Sequence, residues 1–152
     1  MTAPSSTVLA SEEAVQRLVA FFETLTVASV NAIPDLYAAD ARFKDPFNDV
    51  TGHAAITRIF AHMFEALEAP RFVVRERIVQ GPQCFLTWEF RFRFRRFKQG
   101  EEQVVLGSSH LVFDDTGHVT LHRDYWDAAE ELYEKLPVVG TLMRWLKKRA
   151  NS

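Results

Sequence analysis

Residues 86–95 carry the pattern that most limits how this chain can fold. Leu86, Trp88, Phe90, Phe92 and Phe94 occupy every second position, and threonine, glutamate and arginine fill the positions between them. Strict alternation over this length is typical of a β-strand with one buried face, because successive side chains of a strand point to opposite sides. The rest of the chain must therefore supply neighbouring strands and a cover for the aromatic face.

Three further stretches have the composition of strands and surround this one. They cover residues 71–78, 103–113 and 118–126. Turn-forming sequences separate the stretches, namely Gly81-Pro82, Lys98-Gln99-Gly100-Glu101 and Asp114-Asp115-Thr116-Gly117. Short turns join antiparallel neighbours, so we predict a meander of long antiparallel strands.

Helical spacing dominates the first part of the chain. Ser11 followed by two glutamates is a helix-start signal, and apolar residues then recur on one side as far as Leu25. A shorter helix is predicted over residues 30–38, with Pro34 in its first turn. Residues 1–10 are small and polar, and we expect them to be disordered.

The segment from residue 37 to residue 64 joins the helical part to the strands. Residues 41–44 are predicted to form a short strand and residues 47–52 a loop. Apolar residues then recur at helical spacing from Ile56 to Leu67, which predicts a strongly amphipathic helix.

Helices that are segregated from an antiparallel sheet define an α+β fold. We predict a cone in which a curved antiparallel sheet wraps around the N-terminal helices and encloses a hydrophobic pocket. Residues 11–127 form this domain, and residues 128–152 are predicted to be an extra C-terminal helix, broken at Pro137 and Gly140.

Length and composition fit a single soluble domain of 152 residues. The formal charge of −2 gives no general attraction to nucleic acid or acidic membranes. Cys84 is the only cysteine, which excludes an internal disulfide and predicts a reducing compartment. The first residues do not resemble a signal peptide, and no apolar run reaches the roughly 20 residues of a membrane span. We therefore expect a cytoplasmic protein.

Asp45 is the first candidate for chemistry. It ends the predicted short strand, precedes Pro46, and lies between Phe43 and Phe47 in the sequence. Proline holds the preceding residue extended, and aromatic surroundings can turn a carboxylate into a proton-transfer group. A structural role is the alternative, because aspartate before proline is a common turn former.

Four motifs of the chain also occur in a known superfamily. They are LYAADARFKDPF at residues 36–47, GHAAI at 52–56, VFDDTGHV at 112–119 and DYW at 124–126. With these motifs, residues 11–127 resemble the nuclear transport factor 2-like superfamily, and most closely its SnoaL-like and ketosteroid isomerase-like branches. The resemblance implies the cone-shaped fold. The superfamily includes isomerases, dehydratases, epoxide hydrolases, polyketide cyclases and non-catalytic binding modules, so function must be argued from the site.

The resemblance implies roles for three residues. Asp45 falls where ketosteroid isomerases have their general base. Tyr37 matches a tyrosine that supports their hydrogen-bond network, and Trp126 matches a tryptophan of their pocket.

Three other positions depart from the isomerase pattern. The two oxyanion-hole donors, a tyrosine and a protonated aspartate, are replaced by Phe22 and Ser109, and the supporting tyrosine of the third helix is replaced by Phe60. Losing one oxyanion donor typically costs about 2.7–4 kcal/mol of transition-state stabilisation. We therefore expect no authentic steroid isomerase activity.

The last predicted strand adds two polar candidates. If Trp126 faces the pocket, the two-residue period directs Asp124 and His122 inward as well. The predicted catalytic residues are Asp45, His122 and Asp124, and the predicted pocket residues are Phe22, Tyr37, Phe47, Phe60, Trp88, Ser109 and Trp126. A hydrogen-bonded structural pair is the alternative for His122 and Asp124. The histidines lie on unrelated elements, so we expect no metal site, and the acid–base chemistry requires no cofactor.

Two charged features bear on the expected partners. Seven arginines between residues 71 and 96 lie opposite the phenylalanines, whereas base stacking needs aromatic rings on the same face. We therefore expect no nucleic-acid partner, and a homodimer through this outer face. The tail at residues 135–149 predicts a basic amphipathic helix that docks on its own domain or on a partner subunit, with peripheral membrane contact as the less favoured alternative.

Two functions of different classes remain open. The first is a cofactor-independent enzyme of the isomerase, cyclase or dehydratase type that acts on a small hydrophobic metabolite by acid–base chemistry. The second is a non-catalytic module that binds a small hydrophobic ligand or dimerises. Asp45 and the His122–Asp124 pair favour the enzyme, and the missing oxyanion donors favour the binding module.

Overall fold

The computed structural model describes residues 6–96, 100–131 and 137–150. The helices are α1 (Ser6–Glu23), α2 (Ile33–Leu36), α3 (His53–Ala66), α4 (Ala128–Glu131) and α5 (Pro137–Ala150), with a 3-10 turn at Ser29–Ala32. The strands are β1 (Tyr37–Lys44), β2 (Asp49–Thr51), β3 (Leu67–Gln80), β4 (Gln83–Phe94), β5 (Gln103–Phe113) and β6 (Val119–Tyr125). This arrangement confirms the predicted α+β fold.

The six strands form one open sheet in the order β2-β1-β6-β5-β4-β3. Strands β3 to β6 form the predicted antiparallel meander. The prediction of a wholly antiparallel sheet is wrong at one place, because β1 and β6 pair in parallel. A long stretch of chain separates these two strands, and a long connection permits a parallel pair.

Strand β4 occupies the place that its sequence pattern predicts. Leu86, Trp88 and Phe92 are buried on the inner face of the sheet. The opposite face carries Arg91, which pairs at 2.6 Å with Glu102, the residue just before β5. The alternating pattern thus separates an aromatic face from a charged face, as expected for a half-buried strand.

Strand β3 follows its pattern only in part. Phe72 and Val74 face inward, and a register shift follows between Val74 and Glu76. Beyond this bulge Ile78 is 66% exposed, although period two assigns it to the same face as Phe72. An extra residue in one strand moves every later side chain to the other face, which explains the difference.

Helix α1 and strand β1 begin earlier than the sequence predicts. Helix α1 starts at Ser6, so the expected disorder of residues 1–10 is wrong for its second half, and residues 1–5 lie outside the described residues. The predicted helix over residues 30–38 divides into a 3-10 turn and α2, with Pro34 in the first turn as expected. It ends at Leu36 because Tyr37 already belongs to β1, where its side chain is fully buried.

The described residues of the C-terminal part form the helices α4 and α5. Pro137 is the first residue of α5, a position that proline favours, whereas the break predicted at Gly140 is wrong because α5 continues through it. Among the helices of the described residues, none is long and apolar enough to cross a membrane. The domain boundaries at residues 11, 127 and 128 remain predictions.

Candidate functional site

A cavity of about 670 Å³ lies between helices α1 and α3 and the inner face of the sheet. Its volume is within the roughly 300–1,000 Å³ of typical small-molecule sites. The lining is mostly apolar and consists of Phe22, Phe43, Phe47, Ile59, Phe60, Met63, Ala66, Leu67, Phe72, Val74, Trp88, Phe90, Phe92, Phe94, Val105 and Trp126. The polar residues of the lining are Asp45, Asn48, Arg58, His62, Ser109, His122 and Asp124.

Five side chains form a continuous hydrogen-bonded chain beside the cavity. The indole Nε1 of Trp88 donates to Oγ of Ser109 at 2.9 Å, and the Ser109 hydroxyl donates to Oδ1 of Asp124 at 2.5 Å. Nε2 of His122 lies 2.7 Å from the same Oδ1 atom, and Nδ1 of His122 lies 2.7 Å from the Tyr37 hydroxyl. Ser109 and His122 are almost fully buried, whereas the Asp124 side chain remains 15% exposed.

The chemistry of the end groups determines the direction of these hydrogen bonds. An indole N–H only donates, so Ser109 accepts from Trp88 and directs its own proton to the Asp124 carboxylate. A carboxylate only accepts, so Nε2 of His122 carries the proton that faces Asp124. Nδ1 of a neutral imidazole is then an acceptor, which the Tyr37 hydroxyl satisfies.

Tyr37 stays protonated in this arrangement. Complete burial raises the pKa of its phenol well above the ordinary value of 10.0, and the negative charge of Asp124 raises this pKa further. The phenol is therefore a stable donor to His122. Tyr37 does not line the cavity, so its predicted place among the pocket residues is wrong, because complete burial in β1 leaves its hydroxyl in contact with His122 behind the lining.

Aromatic rings enclose the imidazole of His122. Its centroid lies 4.7 Å from that of Phe43, 5.5 Å from that of Phe22 and 6.0 Å from that of Tyr37. Close packing on several sides fixes the ring in the orientation that its two hydrogen bonds require. Asp124 is consequently held at a defined position by a rigid partner.

The two oxygens of Asp124 have different surroundings. Oδ1 accepts from both Ser109 and His122. Oδ2 has no hydrogen-bond partner among the described residues, and Asp124 lines the cavity. Among the described residues, Nε of Arg93 is the side-chain nitrogen or oxygen that is fully buried without a hydrogen bond. Oδ2 of Asp124 is not such an atom, so it keeps some exposure. One oxygen is therefore anchored and the other faces open space.

The carboxylate of Asp45 lines the cavity, but its hydrogen bonds hold a backbone turn. Its Oδ1 atom accepts from the backbone N–H groups of Phe47 at 2.8 Å and Asn48 at 2.6 Å. The Asn48 amide donates to both carboxylate oxygens, at 3.0 Å and 3.1 Å. This geometry is that of an Asx turn and favours the structural alternative for Asp45. Its predicted role as a general base is not supported by a free oxygen.

The structure gathers most of the predicted site residues around one space. Phe22, Phe47, Phe60, Trp88, Ser109 and Trp126 line the cavity together with Asp45, His122 and Asp124. Sequence reasoning missed Arg58, which lies beside the apolar side of α3 and also lines the cavity. The periodicity of α3 identifies its apolar side but contains no signal for a charged residue at the edge of that side.

A second, more polar cleft adjoins the cavity. It has a volume of about 580 Å³ and is lined by Lys44, Asp45, Pro46, Arg123, Asp124, Tyr125, Trp126 and Asp127. Asp45, Asp124 and Trp126 belong to both spaces and therefore separate them. In the described ranges, no three histidine, cysteine or carboxylate side chains are grouped as a metal site requires.

Comparison with known families agrees with this fold. The SnoaL-like domain matches residues 18–122, which is more than half of the chain. The chain belongs to the SnoaL-like domain family, and with it to the nuclear transport factor 2-like superfamily. A comparison with curated protein sequences finds no match.

Solved structures share the fold at low sequence identity. A protein from Jannaschia sp. CCS1, named for its likeness to SnoaL-like polyketide cyclases, has a TM-score of 0.70 and 16% identity, covering 86% of this chain and 94% of its own. A ketosteroid isomerase-like protein from Catenulispora acidiphila, solved with trimethylamine, has a TM-score of 0.67 and 16% identity, covering 80% and 91%. An LEH-like epoxide hydrolase from M. tuberculosis has a TM-score of 0.63 and 14% identity, covering 82% and 87%. These likenesses establish the fold alone.

Proposed function

We propose that this protein binds a small hydrophobic molecule in the cavity and transfers a proton to or from it through Asp124. The observation that carries the proposal is the unequal environment of the two Asp124 oxygens. Oδ1 is held by Ser109 and His122, while Oδ2 has no partner among the described residues and is open to exchange a proton with a ligand. A general base needs such a free, well-positioned oxygen beside the bound molecule.

Each member of the hydrogen-bonded chain has a distinct task in this proposal. Asp124 accepts a proton at Oδ2 from a carbon next to a carbonyl, and the carboxyl group so formed then returns this proton to the ligand. His122 positions the carboxylate through its Nε2–H, and Tyr37 holds the imidazole in the tautomer that makes this possible. Ser109 holds Oδ1 from the other side and is oriented by Trp88.

The relatives support this class of reaction without specifying a substrate. The structural neighbours include a protein named after polyketide cyclases and an LEH-like epoxide hydrolase. Phe22 and Phe60 present apolar rings to the cavity in this chain, so they offer no hydrogen bond to a ligand oxygen. We therefore propose an isomerase-, cyclase- or hydrolase-type activity and not steroid isomerisation.

A non-catalytic binding module is the second candidate. It is favoured by the completeness of the polar chain, in which Tyr37, His122, Ser109 and Trp88 all have their partners without a ligand. A buried network of this kind also serves simply to satisfy the polar groups of a core. The two candidates differ in whether a bound molecule exchanges a proton with Asp124.

Hydrogen–deuterium exchange tests the proposal without knowledge of the natural substrate. Purified protein is incubated in D₂O with 1-tetralone and related cyclic aryl ketones, and deuterium uptake next to the carbonyl is followed by mass spectrometry. We expect the wild type to accelerate exchange and Asp124→Asn to lose about 10²–10⁴-fold of that acceleration, the usual contribution of general acid–base catalysis.

Asp45→Asn is the matched control for this experiment. The asparagine side chain retains an oxygen for the two backbone N–H groups of the turn, so we expect folding and exchange to stay close to wild type. Loss of exchange in Asp45→Asn but not in Asp124→Asn would reverse the assignment of the base. Binding of the ketones without exchange in the wild type would favour the binding module.

A further inference from the structure

Arg58 is a charged residue of the cavity wall that the proposed proton transfer does not use. It lies on α3 next to Ile59, which also lines the cavity, and its own side chain is exposed. It makes no hydrogen bond or ion pair with any of the described residues. A guanidinium that lies next to an apolar cavity and has no partner among the described residues is available to a ligand.

The exposed residues of the lining show where the cavity opens. Phe47 is 53% exposed, and the side chain of His62, one turn after Arg58 on α3, is 73% exposed. His122 and Ser109, by contrast, are almost fully buried. Arg58 therefore lies at an exposed part of the lining, whereas Asp124 is only 15% exposed, is hydrogen-bonded to the buried Ser109 and His122, and also borders the polar cleft.

The charges of the lining divide in the same way. Arg58 is the only lysine or arginine among the described lining residues, and His62 pairs with Glu65 at 3.7 Å. The less exposed part of the lining carries the Asp124 carboxylate, which is hydrogen-bonded to Ser109 and His122. An anionic group of a ligand is repelled from a partly buried carboxylate and attracted to a guanidinium, so both effects direct it to Arg58. Asp45 also lines the cavity, but its oxygens already accept the hydrogen bonds of the turn.

We propose that the ligand of the cavity is an amphipathic organic anion, whose carboxylate-like group binds Arg58 while its uncharged end lies against Asp124. The inference rests on the proposed cavity ligand and narrows its chemical class. Guanidinium and carboxylate fit each other through two parallel hydrogen bonds, which gives orientation as well as affinity. The orientation places the uncharged, reactive part of the molecule at the proton-transfer group.

Two fluorescent probes with the same aromatic skeleton test this inference. 1-Anilinonaphthalene-8-sulfonate carries one anionic group, and N-phenyl-1-naphthylamine lacks it. Fluorescence titration gives the dissociation constant of each probe for the wild type, Arg58→Gln and Arg58→Lys. We expect Arg58→Gln to bind the sulfonate about three- to tenfold more weakly, the usual effect of one charge-assisted contact at a partly solvated site, and to bind the neutral probe unchanged. Arg58→Lys keeps the charge and should recover part of the loss.

Lys44→Gln is the matched control, because it removes the same charge from the neighbouring polar cleft. We expect it to leave the affinity for both probes unchanged. Ala66 lies at an exposed position of α3 and lines the cavity, so Ala66→Phe narrows the cavity. It should weaken the binding of both probes, and this loss of affinity would show that they bind in the cavity. All four substitutions lie at partly exposed positions, and circular dichroism checks that each variant is folded.

The outcomes separate this inference from the proposed function. If Lys44→Gln and Arg58→Gln weaken the affinity for the sulfonate probe equally, the effect is one of general charge, and the role of Arg58 is overturned. If both probes bind tightly and the Arg58 substitutions do not change their affinity, the inference of an anionic ligand is overturned, while the cavity remains a binding site. Binding of neither probe, or binding that Ala66→Phe does not weaken, would contradict the ligand cavity itself and the inference with it.

Discussion

The indole ring of Trp88 occupies the space that a side chain at Gly107 would need. The two residues are cross-strand partners on β4 and β5, and a Cβ atom on Gly107 would lie 2.4 Å from Cη2 of Trp88. The backbone of Gly107 is not in the left-handed region, so close approach of the ring is the reason for glycine at this position. The contact also holds Trp88 where its N–H reaches Ser109.

Gly107→Ala should therefore destabilise the protein and disturb the polar chain. The added methyl group forces the indole to move, and overpacking of this kind costs about 1–3 kcal/mol of the free energy of unfolding. Urea denaturation measures the loss. Ser108→Ala, on the same strand with its side chain on the opposite face, serves as the control and should change the free energy by less than about 0.5 kcal/mol. A Gly107→Ala variant as stable as the control would show that Trp88 moves at no cost.

Tyr37 should make the protein less stable in alkaline solution. Its pKa is raised by burial and by the charge of Asp124, so the folded state keeps the phenolic proton at a pH where the unfolded state loses it. Below pH about 10 both states hold the proton and the group contributes no pH dependence; above it the free energy of unfolding falls with rising pH, by up to about 1.4 kcal/mol per pH unit.

Tyr37→Phe isolates this effect. At pH 8 it should cost about 1–3 kcal/mol, because the buried Nδ1 atom of His122 loses its donor. Above pH 10 the difference between the variant and the wild type should shrink, since the variant has no phenol to titrate. Urea denaturation at pH 8, 10 and 11 checks both parts. A constant difference across this range would contradict the raised pKa.

Cys84 should be unreactive in the folded protein. It is almost fully buried on β4, and burial raises the pKa of its thiol from 9.0 to about 12, with Arg77 opposing the shift. A pKa of about 12 leaves roughly a thousandth of the thiolate that a pKa of 9 gives at pH 8, and the thiolate is the reactive form. We expect the native protein to react with 5,5′-dithiobis(2-nitrobenzoate) at least about a thousandfold more slowly than a small-molecule thiol.

An exposed cysteine provides the comparison for Cys84. Ile78→Cys, introduced together with Cys84→Ala, places a thiol at a 66% exposed position on the neighbouring strand and should react fast. In the wild type, added urea should raise the labelling rate in step with unfolding. Rapid labelling of Cys84 without urea would show that the edge formed by β3 and β4 opens readily.

Local pattern explains the parts of the fold that could be predicted. The alternation around Trp88 specifies a half-buried strand because one side chain in two must leave water, and β4 follows it. The parallel pair of β1 and β6 could not be predicted in this way, because a hydrophobic pattern shows which face of a strand is buried and not which strand lies beside it. The bulge at Arg75 was missed for a similar reason, since it interrupts the period without a glycine or proline.

The candidate site was predictable where family resemblance and periodicity agreed. Period two from Trp126 directs Asp124 and His122 inward, and both line the cavity. Asp45 shows the opposite situation, because an aspartate before proline fits a general base and a turn equally well in sequence. Only the positions of the Phe47 and Asn48 N–H groups distinguish the two. The different hydrogen bonding of the two Asp124 oxygens likewise depends on three-dimensional contacts that the sequence does not show.

The outer face of the sheet carries apolar side chains that point to solvent in a single chain. Ile78, Phe85, Leu106 and Tyr125 are all more than 40% exposed on this face, and Phe85 stacks on His110 with ring centroids 4.6 Å apart. Arg91 and Arg71 on the same side pair with Glu102. Exposed apolar side chains grouped on one face mark an interaction site between proteins.

We therefore expect a homodimer through this outer face. Two copies related by a two-fold axis present the same patch to each other, so a single substitution acts twice. Sedimentation velocity at micromolar concentration should give twice the chain mass of 17.5 kDa for the wild type. Leu106→Glu introduces two like charges into the interface, one from each copy, and should shift the species to 17.5 kDa. Val27→Glu is the control, since Val27 is 71% exposed but lies between α1 and the 3-10 turn, away from the sheet. If the wild type sediments as a monomer, the prediction is wrong, and the outer face is exposed to solvent with the Glu102 ion pairs on its surface.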